Sequence, residues 1–391
     1  MTRPDGIIAL VAALFLSVVV ALAVVTGVGG PSYVEWWLSN RAPPEVRIAV
    51  PSTPVRGVVT VEVELAPEGR ADVAELSLDG LRLAPTRRLT LDTRLLVDGT
   101  HTLVVEAEDY SRHRNRARAT ATLVTDNTPP TLTVDVRPTT PTQGETFWVQ
   151  VRTDEPADLA VRLDGRALPL LEEGAAFWAL GGVAANAPLG SRALQVEAVD
   201  GVGNRSVADL AVRVEAGDFP SEDVVVAEEQ VENPDEARAQ ERLARVLAQV
   251  TTPRRWRDPF QLPLQGPVTT VYGTRRSYNG VPQPAYFHAG VDLAAPAGAP
   301  VGAANAGRVV LAEALGAYGN AVVLDHGLGV FTLYAHLDEV LVAVGDDVPT
   351  GHVLGTVGST GRSTGPHLHW EVRVGQVAVD PMAWLGEYPW Q

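Results

Sequence analysis

Hydrophobic and polar positions change rhythm along this 391-residue chain, and each rhythm predicts a different element. From Gly6 to Gly30 no charged residue interrupts a run rich in Val, Ala and Leu. As a helix that run extends about 37 Å, against about 30 Å of bilayer hydrocarbon, so it predicts a membrane span. Tyr33, Trp36 and Trp37 follow where interfacial aromatics sit, and Arg3 with the amino terminus favours a cytoplasmic N-terminus. Residues 1–43 are therefore read as a tip, an anchor and an interfacial segment, with the remainder outside the membrane. Ala21-Leu22-Ala23 offers the alternative of a cleaved signal peptide, which also exports the chain.

From Pro44 to Val214 short alternating runs of Val, Thr, Leu and Arg are split by Pro, Gly and Asp, the pattern of β-sandwiches. Two copies are visible. Thr102-Leu-Val-Val-Glu-Ala-Glu-Asp109 lines up with Ala193-Leu-Gln-Val-Glu-Ala-Val-Asp200, and Leu-Asp-Gly lies upstream of each, at 78–80 and 163–165. Thr125-Asp-Asn-Thr-Pro-Pro130 stiffens the junction and resembles the joints between tandem bacterial immunoglobulin-like domains. The expected sandwiches are 44–126 and 129–215. Residues 216–259 then read as a linker with an acidic start and one short helix: Asn233 caps it, Pro234 and Glu236 suit its first turn, and Leu243, Val246, Leu247 and Val250 form its apolar stripe.

Residues 260–391 hold the chemistry. Three stretches alternate with period two, as half-buried strands do: Phe-His-Ala-Gly-Val-Asp-Leu from Phe287, Tyr-Ala-His-Leu from Tyr334, and Gly-Pro-His-Leu-His-Trp-Glu-Val-Arg from Gly365. The alternation places His288 with Asp292 on one face of the first strand and His367 with His369 on one face of the third. In the second it predicts that Phe331, Leu333 and Ala335 pack while Thr332, Tyr334 and His336 face away. Imidazole with carboxylate is the ligand set of a divalent metal favouring tetrahedral geometry, and zinc with three protein ligands keeps a position for water. The chain has no cysteine, which excludes a Cys-rich zinc site and any disulfide. His367 and His369 point the same way; both could bind one ion, or one could bind it while its neighbour serves a substrate.

The run 287–374 resembles the catalytic domain of lysostaphin-type (LytM-like) peptidoglycan endopeptidases, zinc enzymes of bacterial cell walls. Besides His-x-x-x-Asp and His-x-His, it includes Ala-Pro-Ala-Gly-Ala-Pro-Val at 295–301, Tyr-Gly-Asn at 318–320, Asp-His-Gly at 325–327 and Thr-Gly-x-Ser-Thr-Gly-Pro at 360–366. The resemblance implies one zinc held by His288, Asp292 and His369, with His336 and His367 handling protons and stabilising an oxyanion. It further implies Tyr318 and Asn320 near the cleft, and a groove wall where Arg275, Arg276 and Tyr278 touch substrate. Some relatives have lost their ligands and only activate other wall enzymes, for example an amidase; here no motif position is missing.

Charge narrows the partners. The formal net charge of −16 argues against nucleic acid. Within 261–391 five arginines stand against ten acidic residues, so attraction does not pull this domain onto an anionic wall and groove shape must recognise peptidoglycan. The β-sandwiches read as spacers or as docking modules for a wall or division-complex partner, and the arginines at 112, 114, 116 and 118 as solvated charge. His101, His113 and His352 are read as solvated surface residues and His326 as structural, while Trp384, Leu385 and Trp390 are expected to cover a core edge.

Overall fold

The computed structural model describes residues 31–51, 54–224, 236–249 and 251–386. The predicted span Gly6–Gly30 lies outside the described residues, among which no helix is long and apolar enough to cross a membrane. The chain is mostly β and divides into two compact units at Pro129/Pro130, inside the predicted junction; Gly201–Asn204 belongs with the first.

In the first unit, helix α1 (Pro31–Ser39) precedes strands β1 (Glu45–Ala49), β2 (Val58–Ala66), β3 (Ala71–Leu78), β4 (Leu81–Leu83), β5 (Arg88–Asp92), β6 (Gly99–Asp109) and β7 (Arg116–Thr125). The sheets β1-β2-β5 and β4-β3-β6-β7 share a core of alternate residues such as Val61, Val63, Leu76, Leu103 and Val105. The aromatics expected at a membrane interface dock here: the Arg70 guanidinium lies 4.8 Å from the centre of the Trp36 ring, and Arg112 N–H donates to the Trp37 carbonyl.

His101 corrects the sequence reading. Far from solvated, it is buried, with Nδ1 2.6 Å from Asp79 Oδ2 and Nε2 2.8 Å from the Val97 carbonyl. Asp79 holds a left-handed turn (φ +48°) and its other oxygen accepts Thr102 N–H. The second copy repeats this clamp at Asp164 (φ +47°), which accepts Ala193 N–H. Aspartate tolerates that backbone region because its short side chain bonds locally. The repeated Leu-Asp-Gly is thus a hairpin turn tied to the following strand. His113 and His352 are exposed.

The second unit begins with β8 (Leu132–Arg137), β9 (Thr146–Thr153), β10 (Ala157–Leu163), β11 (Arg166–Leu168), β12 (Leu170–Glu173), β13 (Ala176–Gly182), β14 (Gly190–Asp200) and β15 (Arg205–Val214). They form the sheets β11-β10-β14-β15 and β12-β13-β9-β8 around Phe147, Val149, Val161 and Val196. Next come β16 (Ser221–Val224) and α2 (Glu236–Leu247), then β17 (Val268–Thr270), β18 (Arg275–Tyr278), β19 (Val281–Phe287), β20 (Val291–Ala294), β21 (Pro300–Gly302), β22 (Gly307–Ala314), β23 (Asn320–Asp325), β24 (Val330–Val340), β25 (Asp347–Val348), β26 (Val353–Val357), β27 (His367–Val374) and β28 (Val377–Val379). The large sheet runs β17-β20-β27-β24-β23-β22-β25, with β26 on β24, β21 on β26 and β28 on β27; β16-β18-β19 is a separate sheet.

The segment between sandwich and sheet is built into both. β16 pairs in parallel with β18, and α2 lays Ala239, Leu243, Val246 and Leu247 over Leu333, Ala335 and Val323 of the large sheet. Asn233, Pro234 and Val250 lie outside the described residues. The sandwich also joins the main core, since Trp148 and Leu180 are buried in one cluster with Tyr272, Trp370 and Val379. Tyr272 Oη bridges them, accepting Ala185 N–H and donating to the Ala378 carbonyl. Trp384 meets the rings of Trp256 and Phe260 edge-on, the predicted core edge, while Trp390 lies outside the described residues. Both faces of β23 and of most of β24 are therefore covered, and β24 is not half-solvated as its alternation suggested.

Candidate metal centre

Strand pairing brings the distant residues together. On β20 and β27, Asp292 stands directly opposite His369, and direct partners share a face. Val291, Leu293, Leu368 and Trp370 fill the main core, which turns Asp292, His367 and His369 to the other side. Gly290 lets β20 approach, because a Cβ there would lie 2.2 Å from the Trp370 carbonyl oxygen. His288, four residues before Asp292, reaches the same point.

β24 behaves differently from its sequence pattern. Ala335 is opposite His369, and Tyr334 is opposite Trp370 with its ring in the main core. Regular alternation would send His336 to the Tyr334 side, away from the site. Instead Val322 pairs with Tyr334 while Asn320 pairs with Leu337, so Ala335 and His336 together oppose Ala321. His336 is the bulged residue, left-handed at φ +59°. The bulge returns its ring to the cleft, where it lies 4.8 Å from the His367 ring and 5.9 Å from that of His369. A side chain in this backbone region costs about 1–2 kcal/mol. Without metal, His336→Gly is therefore expected to exceed His336→Ala in stability by about 1 kcal/mol, reversing the usual strand order. Urea unfolding of the two variants in chelator measures this, and an equal or more stable Ala variant would show that the bulge stores no strain.

Both histidines of this cluster have an outer partner on the other ring nitrogen. His288 Nδ1–H donates to the Val271 carbonyl at 3.1 Å, and His369 Nε2–H to Glu371 Oε1 at 2.9 Å. This turns His288 Nε2 and His369 Nδ1 toward one another, 3.0 Å apart and 3.0 and 2.9 Å from Asp292 Oδ1. Three such atoms so close share protons or a metal ion, and imidazole with carboxylate is a set zinc accepts, so these residues fit that ion. The electrostatics agree. Burial pushes the Asp292 carboxyl up, but hydrogen bonds from His288 and His369 outweigh it and hold it well below the usual carboxylate range. Burial likewise opposes charge on His369, yet Asp292 and Glu371 push that ring up to about 9, so a metal binding at Nδ1 would displace a proton from it. Burial pushes His288 down.

The two remaining histidines are held alike. His336 Nδ1–H donates to the Thr360 carbonyl and His367 Nδ1–H to the Gly365 carbonyl, each at 2.8 Å, which turns both Nε2 atoms to the cleft. His367 Nε2 is 3.7 Å from Asp292 Oδ1. Burial, with the neighbouring His369 and His367 rings, pushes His336 down to about 3, so its lone pair persists at neutral pH. Thr360 itself is fixed by Asn320 N–H and the Leu337 carbonyl. Gly319 and Gly361 make this possible, since a Cβ on Gly361 would lie 2.3 Å from Gly319 N.

The cleft measures about 460 Å³ and takes in all five residues. Of the expected substrate contacts, Tyr318 and Arg276 line it. Tyr318 also donates to Glu371 at 2.9 Å. Asn320 does not: its amide is spent on the Leu337 and Asp338 carbonyls behind the bulge. Arg275 is exposed and lies off the cleft lining, and the Tyr278 side chain lies outside what is described. His326 is structural, buried between the Ala306 carbonyl and Thr332 Oγ1. Sequence reasoning missed Glu371, Arg373 and Glu222. Glu371 is fully buried; burial pushes it up, but Arg373 and His369 outweigh that and hold it to about 2. Its place two residues after His369 on one strand face was the available signal.

Sheet and site together bring two histidines and one carboxylate into a set that could hold one metal ion, with two further histidines beside it. Residues 286–381 match Peptidase family M23, so the C-terminal part of this chain is a domain of that family. The chain is 51% identical over 97 residues to the DD-carboxypeptidase/endopeptidase Mpg of Neisseria meningitidis serogroup B, covering 25% of this chain and 22% of that protein. It is 43% identical over 95 residues to the peptidoglycan DD-endopeptidase ShyB of Vibrio cholerae, covering 24% and 22%. To the murein hydrolase activator EnvC of Escherichia coli it is 37% identical over 124 residues, covering 32% and 28%. The matched stretch thus spans about a quarter of each relative's length.

Proposed function

We propose that this chain is a membrane-anchored, exported zinc endopeptidase that hydrolyses peptide bonds of peptidoglycan, in cross-links or stem peptides, during wall remodelling. One observation carries the reading: two imidazole nitrogens and a carboxylate oxygen converge within about 3 Å, beside two imidazoles that stay outside the set. Zinc held by His288, Asp292 and His369 would supply Lewis acidity for a scissile carbonyl and a water nucleophile near neutral pH. His336 and His367 divide the remaining work. One Nε2 accepts the proton of the water and passes it to the leaving amine; the other imidazole, as an imidazolium that also carries a proton on Nε2, donates to the developing oxyanion.

The wall as substrate is supported by the names of the similar proteins, and the anchor by the charge-free run 6–30. The immunoglobulin-like modules are read as spacers, or as docking sites for a wall or division-complex partner. Similarity to EnvC supports an activator alternative, but the complete ligand set favours hydrolysis. Mass spectrometry of muropeptides released from sacculi decides between them. The proposal expects new peptide termini that chelation abolishes; no released peptide, together with stimulation of a separate amidase, would establish the activator.

A further inference from the structure

Asp292 has its two oxygens drawn apart. Oδ1 faces His288 and His369, whereas Oδ2 faces Arg276, whose Nη2 stands 3.7 Å away. Arg276 comes from β18, upstream of the segment that matches the peptidase family. It is mostly buried, with 17% of its side chain exposed, and its fork is shared out: Nε donates to Glu222 Oε1 at 2.6 Å and Nη1 to Tyr286 Oη at 3.3 Å. Glu222 is delivered by β16, which pairs in parallel with β18 so that Glu222 stands opposite Arg276. A segment preceding the family domain therefore reaches, through one guanidinium, a residue of the metal set.

We propose that Glu222 and Arg276 are positioning residues that keep Asp292 bound through one oxygen, so that its carboxylate does not spread over the coordination position that water needs. The inference rests on the zinc reading above. His288 and His369 have outer partners fixing their rings, the Val271 carbonyl and Glu371; Arg276 supplies the third, for the carboxylate. Outer partners of metal ligands are typically worth 10- to 100-fold in affinity or activity. The device requires a guanidinium, because a rigid fork meets Glu222, Tyr286 and Asp292 at once while an ammonium is a single point of charge. It also explains why an acidic residue of an apparent linker lines the cleft.

Arg276→Met, Arg276→Lys and Glu222→Gln in the full chain test this, with cobalt replacing zinc as the spectroscopic probe and purified cross-linked muropeptides as substrate. Arg276→Met should cut kcat by about 10- to 100-fold with little change in KM. Its cobalt absorption should weaken in the visible, as four-coordinate metal becomes five-coordinate. Arg276→Lys should not rescue either readout, and Glu222→Gln should move both in the same direction by less. An unchanged cobalt spectrum with raised KM would overturn the proposal in favour of a substrate contact. A lowered melting temperature alone would reduce the pair to a structural one. Because the spectrum needs no turnover, a wild-type protein that binds cobalt yet cuts nothing would defeat the hydrolase reading while these variants still decide the role of Arg276.

Discussion

His369→Ala is expected to abolish tightly bound zinc and hydrolysis together. His369 contributes one of three converging atoms that could bind the metal, and its Nδ1 lies 2.9 and 3.0 Å from the other two. Losing an outer partner of such a ligand already costs about 10- to 100-fold in affinity, so losing the ligand itself should exceed about 100-fold. The fold should survive, because the buried Glu371 keeps Arg373 and Tyr318 as partners. Zinc content after dialysis, with circular dichroism as the folding control, measures the outcome. A folded variant that retained stoichiometric zinc would remove His369 from the ligand set.

His336→Ala and His367→Ala should behave in the opposite way, keeping zinc but losing about 100- to 10,000-fold in kcat. Neither Nε2 belongs to the converging set, and each ring is anchored through Nδ1 by a backbone carbonyl rather than by a ligand. Since the two act on one proton and one oxyanion, the double variant should lose less than the product of the single losses. Steady-state kinetics beside a zinc titration tests both. Loss of zinc with His336 would mean that the bulge serves coordination instead of proton transfer.

Part of the site was legible because β27 is regular: period two put His367 with His369, and no irregularity intervenes there to spoil the reading. His288 meets Asp292 for another reason, since 288–290 break the predicted strand between β19 and β20, and residues four apart on an unbroken strand would stand about 13 Å apart. His336 was brought to the cleft for the wrong reason: alternation gave it the face of Thr332 and Tyr334, which is the main core, and only the bulge opposite Ala321 restores it. A single left-handed residue leaves no periodic trace. Asn320 and His101 were misplaced because hydrogen bonds to distant backbone and to Asp79 are tertiary facts. The parallel pairing of β16 with β18, which makes Glu222 part of the cleft, is nonlocal too, and its acidic sequence reads as a solvated linker. The apolar stripe of α2, by contrast, correctly announced a packed helix at Leu243, Val246 and Leu247.

X-ray absorption spectroscopy of the zinc-loaded chain addresses the centre itself. Two imidazole nitrogens, one carboxylate oxygen and one solvent oxygen that exchanges are the predicted coordination. A fourth protein donor in place of the solvent, or zinc scattered over surface carboxylates, would contradict it.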